Sequence, residues 1–306
     1  MRKFFARRVI IASIVFVVFG AGFFVFRAIQ DNKSPLETPL TVNKSENPGP
    51  IHIVIGHSVE GRNIDAYTYP PRHQASGKRE KHLIFVGGIH GGYEWNSVVL
   101  AYKFIDYLDA APEDIPANLT VTVIPSANPD GVYKVVGKDG RFASTDVATD
   151  KQILASGRFN AREVDINRNF DCNWKPKSLW QTKIVSAGEA PFSEPEAATI
   201  RNFVLENNPT AVIFWHSQSG SVYASKCEAG ILPETLNIME AYARASGYSA
   251  VETFDAYKTT GDSEGWLASI GIPAITVELK THETIEWEQN LAGIKALFKY
   301  YLEKRN

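Results

Sequence analysis

Short apolar runs rich in β-branched residues alternate with segments of helical period along most of the chain. The clearest runs are "HLIFV", "LTVTVI", "TAVIFW" and "PAITVEL". Amphipathic segments lie between them, such as the one that begins near Glu94 and places Val98, Tyr102 and Ile105 on one side. This alternation predicts an α/β fold, with a mixed, mostly parallel central sheet and helices on both faces.

Local signals mark where several of these elements begin and end. The runs "IHIVIG" and "NIDAYTYP" flank the turn "HSVEGR" and predict an opening hairpin. The sequence "NPDG" predicts a turn after the run "LTVTVI". A capping box from Ser193 to Glu196 predicts one helix start, and Gly247 predicts the end of another helix.

The N-terminus has a different pattern. Residues 1–8 are basic, and residues 9–26 carry no charge over eighteen positions, close to the about 20 apolar residues that span a bilayer. We expect a transmembrane signal anchor at 9–26, with the N-terminus cytoplasmic and the rest of the chain periplasmic or extracellular. The alternative is a cleaved signal peptide and a secreted protein.

Composition divides the rest of the chain in two. Residues 27–50 are polar and rich in Pro, Ser and Asn, which predicts a flexible stalk. Residues 51–306 are then the folded domain, within a chain that is 44% hydrophobic.

The net charge of -2 gives no reason to expect a nucleic-acid partner, and we expect a monomer. The two cysteines, Cys172 and Cys227, are expected to form a disulfide after export, the alternative being two unpaired thiols.

Chemically useful side chains occur at the predicted strand ends, where α/β sheets bind ligands. Of seven histidines, only His90 and His216 lie just past the end of a continuous apolar run, and Glu278 ends another. Glu94 follows His90 on a glycine-rich turn. A lone histidine at such a position is usually an ordinary polar residue. Two imidazoles and a carboxylate from separate elements, however, indicate a zinc site with an open fourth position.

A polar segment at residues 157–171, "GRFNAREVDINRNFD", contains Arg158, Asn167 and Arg168. Arginine side chains bind carboxylates through two parallel hydrogen bonds. A solvated loop with incidental charges is the alternative, but it would not explain the tight alternation of polar residues with Val164 and Ile166.

These segments together resemble the zinc metallocarboxypeptidase family, which includes carboxypeptidases A, B, D and T. The matching segments are "GHSVEGR", "GGIHGGYE", "NPDG" with "RFNAREVDINRNF", "WHSQS", and "YKTTGDSEGW" followed by "TVEL". They occur in the family's order and extend from about residue 51 to the C-terminus. The resemblance implies a carboxypeptidase that removes C-terminal amino acids from peptides with a free terminal carboxylate.

The resemblance also implies a role for each matched residue. One Zn²⁺ per chain would be bound by His90, Glu94 and His216. The substrate's terminal carboxylate would be bound by Asn167 and Arg168 and covered by Tyr257. Arg158 would stabilise the oxyanion, and Glu278 would be the general base. One departure is the spacing His-x-x-x-Glu in place of the family's His-x-x-Glu, and we expect the extra glycine to let Glu94 reach the metal.

The loop between the matched tyrosine and the catalytic strand lines the family's pocket for the terminal side chain. Here it contains Asp262 and Glu264 and no aliphatic residue between Tyr257 and Trp266. This predicts a preference for basic or diaminopimelate-type C-terminal residues, since a buried unpaired carboxylate is costly. Either side chain pointing to solvent is the alternative.

Three other functions stay open at this stage. The first is a zinc amidase or acyl-amino-acid hydrolase on the same scaffold. The second is a carboxypeptidase for the stem peptides of peptidoglycan. The third is a tethered binding module with a dead site, which the presence of all three candidate ligands and Glu278 disfavours.

Overall fold

The computed structural model describes residues 49–71 and 80–304 of the chain. The predicted cytoplasmic segment 1–8, the anchor 9–26 and all but the end of the stalk 27–50 lie outside these residues. Within the described ranges, no helix is both long enough and apolar enough to cross a membrane. The folded unit extends over Asn47–Asn306.

Apolar runs form strands at all the predicted positions. In the described residues the strands are β1 Ile51–His57, β2 Asn63–Tyr69, β3 Lys81–Val86, β4 Leu119–Ile124, β5 Lys177–Trp180, β6 Lys183–Ser186, β7 Ala211–Ser217, β8 Ser221–Ala224, β9 Lys226–Cys227, β10 Gly230–Ile231, β11 Ser249–Val251 and β12 Ala274–Leu279. Eight of them form one sheet in the order β1-β2-β4-β3-β7-β12-β8-β11. The four inner strands β4, β3, β7 and β12 are parallel, and β1, β2 and β8 add antiparallel pairs. The predicted mixed sheet is therefore confirmed.

Helices connect the strands and cover the sheet. They are α1 Trp95–Ala110, α2 Pro129–Val136, α3 Lys151–Ser156, α4 Pro195–Asn207, α5 Pro233–Ser246, α6 Ser263–Ser269 and α7 Trp287–Glu303. Short 3-10 helices occur at Gly91–Glu94, Pro112–Asp114, Ser144–Asp146 and Ile166–Arg168. As predicted, α5 ends at Gly247, which has left-handed backbone angles.

Successive side chains of β3 point into two separate cores. Leu83 and Phe85 pack with residues of α1, α5 and α7 on one face. Ile84 and Val86 pack with residues of α4 and α6 on the other. Such alternation along a strand requires apolar cover on both faces of the sheet, and the prediction of helices on both faces is confirmed.

Two local predictions are wrong, the first because a side-chain cap starts a helix and the second because tertiary contacts occupy the Glu196 carboxylate. The "NPDG" segment opens α2 instead of forming an isolated turn, with Asn128 as N-cap accepting a hydrogen bond from the Gly131 N–H. The predicted capping box is absent at α4, whose N-cap is Glu194. Glu196 instead accepts hydrogen bonds from Val59 N and Asn160 Nδ2, at 3.1 and 3.2 Å.

Cys172 and Cys227 form a disulfide, as predicted. The bond closes a loop of 55 residues and joins the segment after the 3-10 helix Ile166–Arg168 to strand β9. Closing a loop of this length removes conformational entropy from the unfolded chain and stabilises the fold by about 2–4 kcal/mol.

Candidate metal centre and substrate cavity

Parallel pairing brings the carboxyl ends of the central strands to one edge of the sheet. In the register of β7 and β12, His216 lies directly opposite Glu278. Strand β3, on the other side of β7, ends at Val86, and His90 follows soon after. The three strand-end residues predicted from the sequence therefore lie at the same edge.

Glycine makes the turn between His90 and Glu94 tight. The turn is the 3-10 helix Gly91–Glu94, in which Gly91 has a φ of 48°. A Cβ on Gly91 would lie 2.4 Å from the backbone oxygen of Gly157, so only glycine fits. The 3-10 turn absorbs the extra residue of the His-x-x-x-Glu spacing, and Glu94 still reaches the same point as His90.

Potential ligand atoms of His90, Glu94 and His216 all lie within 4.8 Å of one another, and the three residues are buried. Nδ1 of His216 is 3.1 Å from a carboxylate oxygen of Glu94. Two imidazoles and one carboxylate are the donor set of a catalytic zinc site with an open fourth position. The side chains of this metal cluster therefore fit a zinc ion.

Burial and mutual charge perturb the cluster's pKa values. Burial alone would raise the pKa of Glu94, but His90 and His216 lower it to about 2. Burial and the Arg158 guanidinium lower the pKa of His90 to about 4. Burial opposes protonation of His216, yet Glu94 and Glu264 raise its pKa well above the usual value. A metal must displace the His216 proton, because only the neutral imidazole is a ligand.

Arg158 lies beside the metal cluster in a buried network. Its Nε donates to Asp165 Oδ2 at 2.8 Å, and Asp165 Oδ1 lies 3.4 Å from His90 Nδ1. Its Nη2 is 3.1 Å from His90 Nε2, and its Nη1 is 3.9 Å from a Glu94 oxygen. The guanidinium carbon also lies 4.8 Å from the centroid of the Trp180 ring. These contacts hold a positive charge next to the metal cluster.

Glu278 presents an unused acceptor at the same edge. Its Oε2 atom is buried and has no hydrogen-bond partner among the described residues. Burial, reinforced by the Glu94 carboxylate, raises the pKa of Glu278 to about 8. A carboxyl group with these properties beside a metal cluster is suited to accept and return a proton.

Asn167 and Arg168 are buried on the 3-10 helix Ile166–Arg168. Asn167 Oδ1 accepts a hydrogen bond of 2.8 Å from the backbone N–H of Ser263. Arg168 donates from Nε and Nη2 to the carbonyl oxygen of Leu179, both at 3.1 Å. Both side chains are held in place by the fold itself.

One cavity of about 100 Å³ joins these groups. Its lining includes the candidate residues His90, His216, Asn167, Arg168, Tyr257 and Glu278. Tyr257 is half-buried, with its ring centroid 4.9 Å from that of Phe254. Burial raises the pKa of Tyr257, so its phenol stays a hydrogen-bond donor at neutral pH.

Asp262 and Glu264 also line the cavity but differ in their contacts. Asp262 caps α6, its Oδ2 accepting a 2.8 Å hydrogen bond from Gly265 N, and its Oδ1 has no partner in the described part of the chain. Burial and the Glu264 charge raise the pKa of Asp262 to about 6. Glu264 uses both oxygens in hydrogen bonds to other side chains.

Asp165 is a site residue for which no role was predicted from the sequence; it lies between Arg158 and His90 and is completely buried. The sequence feature that could have indicated a role for Asp165 was its position before Asn167, in the stretch where polar residues alternate with apolar ones. Its burial was not visible in the sequence, because a polar residue in a polar segment looks solvated.

A buried cluster of two histidines and a glutamate, beside a proton acceptor and an arginine-lined cavity, defines the class of metal-dependent hydrolases. The sequence profile of the zinc carboxypeptidase family matches residues 40–305. The chain therefore belongs to the zinc carboxypeptidase family, a family of zinc-dependent hydrolases in which inactive relatives also occur.

Individual relatives are distant. The chain is 25% identical over 264 residues to carboxypeptidase B of Astacus astacus, covering 82% of this chain and 78% of that one. It is 24% identical over 223 residues to gamma-D-glutamyl-L-diamino acid endopeptidase 1 of Lysinibacillus sphaericus, covering 66% of this chain. The match spans only 55% of the length of that endopeptidase.

Solved structures share the fold. Thrombin-activatable fibrinolysis inhibitor matches with a TM-score of 0.66 at 18% identity, over 84% of this chain and 70% of that one. Murein-tripeptide amidase from Escherichia coli O157 matches with a TM-score of 0.57 at 22% identity, over 85% and 94%.

Proposed function

We propose that this protein is a zinc-dependent carboxypeptidase that removes the C-terminal residue from peptides. The supporting observation is that a single cavity lies between the metal cluster and the pair Asn167 and Arg168. A hydrolytic metal and a carboxylate-binding pair this close suit a substrate whose scissile bond is next to its terminal carboxylate.

His90, Glu94 and His216 would hold the zinc, which when bound activates water and polarises the scissile carbonyl. Glu278 takes the proton from the attacking water and returns it to the leaving amine. Arg158 stabilises the negative charge that develops on the carbonyl oxygen, a kind of contact worth roughly 3 kcal/mol.

The remaining residues orient the substrate. Arg168 and Asn167 bind its terminal carboxylate, and the Tyr257 phenol donates a further hydrogen bond. The free Oδ1 of Asp262, with the charge of Glu264 behind it, favours a terminal side chain with an ammonium or guanidinium group. An aliphatic side chain would offer no hydrogen-bond donor to the remaining oxygen of the Asp262 carboxylate.

A second candidate is action on cell-wall stem peptides, as a carboxypeptidase or an amidase. A further cavity of about 230 Å³ adjoins the first and shares Asp262 and Glu264 in its lining. It adds Lys226 and Ser225, whose buried hydroxyl has no partner in the described residues. The carboxylates of Asp262 and Glu264, the ammonium group of Lys226 and the volume of the second cavity suit a terminal residue that carries an ammonium and a second carboxylate, such as diaminopimelate. The diamino acid endopeptidase and the murein-tripeptide amidase among the relatives support this candidate.

The proposed preference is tested by kcat/KM on matched dipeptides that end in Arg, Lys, diaminopimelate, Phe or Leu, and a higher value for diaminopimelate than for Arg and Lys would favour the second candidate. We expect kcat/KM for the dipeptides with basic or diamino ends to exceed kcat/KM for those ending in Phe or Leu by at least tenfold. The substitution Asp262→Asn should reduce this ratio. A C-terminally amidated Arg peptide is the control, since it lacks the carboxylate. Equal turnover of the Phe and Leu peptides would refute the proposed preference, and equal turnover of the amide would refute exopeptidase action.

A further inference from the structure

Glu264 connects the metal cluster to the carboxylate-binding pair. It is 4% exposed and lies at the start of α6. Its Oε1 is 3.1 Å from His216 Nε2 and accepts a hydrogen bond of 3.0 Å from Thr276 Oγ1. The His216 imidazole therefore meets a carboxylate on the side opposite the metal cluster.

The other oxygen of Glu264 faces Asn167. Oε2 is 3.3 Å from Asn167 Nδ2 and 2.9 Å from the hydroxyl of Ser263. Ser263 also donates from its backbone N–H to Asn167 Oδ1 at 2.8 Å. The amide of Asn167 is thus oriented from both ends, one of them by Glu264. With both oxygens engaged, Glu264 is less available than Asp262 to pair with a substrate cation.

The contacts of His216 determine which of its nitrogens can bind a metal. Its Nδ1 lies 3.1 Å from Glu94 Oε2, on the side of the metal cluster. A carboxylate at Nε2 accepts a hydrogen bond from an Nε2–H, which leaves the lone pair on Nδ1. Carboxylates behind a metal-bound histidine fix its ring and strengthen it as a ligand in this way.

His90 also has a carboxylate near one ring nitrogen, although the two atoms do not form a hydrogen bond in the described residues. Asp165 Oδ1 lies 3.4 Å from His90 Nδ1, and Asp165 Oδ2 accepts a hydrogen bond from Arg158. Each histidine of the metal cluster is therefore backed by a buried carboxylate. Glu264 in addition contacts the side-chain amide of Asn167, a residue of the carboxylate-binding pair.

We propose that Glu264 is a positioning residue, which holds His216 as the Nε2–H tautomer for metal binding and orients Asn167 for the terminal carboxylate. The proposal rests on the metal ligands assigned under the proposed function. It makes Asp262, not Glu264, the pocket residue that meets the terminal side chain.

The test measures zinc affinity by chelator competition in the purified domain, without any peptide. Glu264→Ala should weaken zinc binding about 10–100-fold, because the histidine loses its carboxylate partner. Glu264→Gln should lose less than about tenfold, because the amide oxygen still accepts from Nε2–H. Asp262→Asn is the matched control, with a carboxylate in the same cavity that does not contact His216, and its zinc affinity should be unchanged.

Two results would overturn the proposal. One is wild-type zinc affinity in Glu264→Ala. The other is a His216 Nε2–H proton that exchanges as fast as a solvent-exposed one in NMR spectra of the zinc-loaded wild type, a measurement that needs no variant to fold. Failure of the proposed function looks different, since His216→Ala would then bind zinc as tightly as the wild type.

Discussion

Among the individual side chains, the carboxyl groups around the metal cluster divide into charged and neutral ones. Interactions with His90 and His216 hold the pKa of Glu94 at about 2, and interactions with His216 hold the pKa of Glu264 at about 2, although both are buried. Glu278 has no such partner at its Oε2, and burial raises its pKa to about 8. The surroundings of each glutamate therefore determine its role: Glu94 is a metal ligand, Glu264 a positioning residue and Glu278 a proton acceptor.

Replacing Glu278 by glutamine tests its role as general base. We expect Glu278→Gln to fold and to keep zinc, since the residue is outside the metal cluster, but to lose at least about 10²-fold in kcat. Steady-state kinetics with zinc analysis of the same preparation measures both. A kcat near that of the wild type would mean that another group takes the proton.

The raised pKa of Glu278 also predicts how the stability of the zinc-free protein depends on pH. Between about pH 5 and 8 the folded protein keeps the Glu278 proton, which the unfolded chain has lost. Unfolding then releases a proton, so this residue makes the wild type less stable as pH rises through that range. Glu278→Gln lacks this contribution, and its free energy of unfolding relative to the wild type should rise from pH 5 to pH 8. Urea unfolding of both chelator-treated proteins measures this, and a difference independent of pH would contradict it.

At the level of helices, strands and turns, the short connection after β3 determines whether the metal cluster can form. Gly91 and Gly137 both have positive φ, 48° and 65°. A Cβ on Gly91 would collide with Gly157, whereas a Cβ on Gly137 would meet nothing within 4 Å. Alanine at Gly137 therefore introduces backbone strain alone, whereas alanine at Gly91 introduces the same strain and a steric clash.

We expect Gly137→Ala to cost about 1–2 kcal/mol of stability, the price of left-handed backbone for alanine alone. Gly91→Ala should cost at least about 3 kcal/mol and also weaken zinc binding, because the turn that carries Glu94 must shift. Denaturant unfolding and zinc affinity of the two variants provide the comparison. Equal losses at both positions would show that the crowding at Gly91 is unimportant.

For the molecule as a whole, the metal ligands come from separate parts of the sheet edge, and a bound ion ties them together. Removing zinc with a chelator should lower the melting temperature, since a ligand at 1,000 times its Kd stabilises the folded state by about 4 kcal/mol. His216→Ala should melt at the same temperature with and without chelator. An unchanged melting temperature of the wild type on chelation would argue against a metal bound by these residues.

Export of the folded domain remains a prediction, which the disulfide supports because such bonds persist outside the cytoplasm. We expect the full chain to stay in the membrane fraction after an alkaline wash, and residues 51–306 alone to be soluble. The intact mass of the purified full-length protein shows whether its N-terminus is retained. An N-terminus beyond residue 26 would indicate a cleaved signal peptide, and a soluble, uncleaved chain would contradict export.

Strands, helices and strand-end histidines could be predicted from the sequence, because each depends on local periodicity. The run "TAVIFWHS" is apolar enough to specify β7 without its neighbours, and it places His216 at the strand end. The prediction of a capping box at Ser193 was wrong because it depended on a contact that is not local. Glu196 accepts a hydrogen bond from Val59, which is distant in sequence.

Only the tertiary structure decided how the two acidic residues of the pocket differ. In the sequence, Asp262 and Glu264 are two carboxylates on one loop and look equivalent. The fold brings His216 and Asn167, 48 and 97 residues from Glu264, against that residue and leaves one oxygen of Asp262 free. Local sequence determines which residues lie in an element. The direction of a buried polar side chain depends on the partners that packing brings to it.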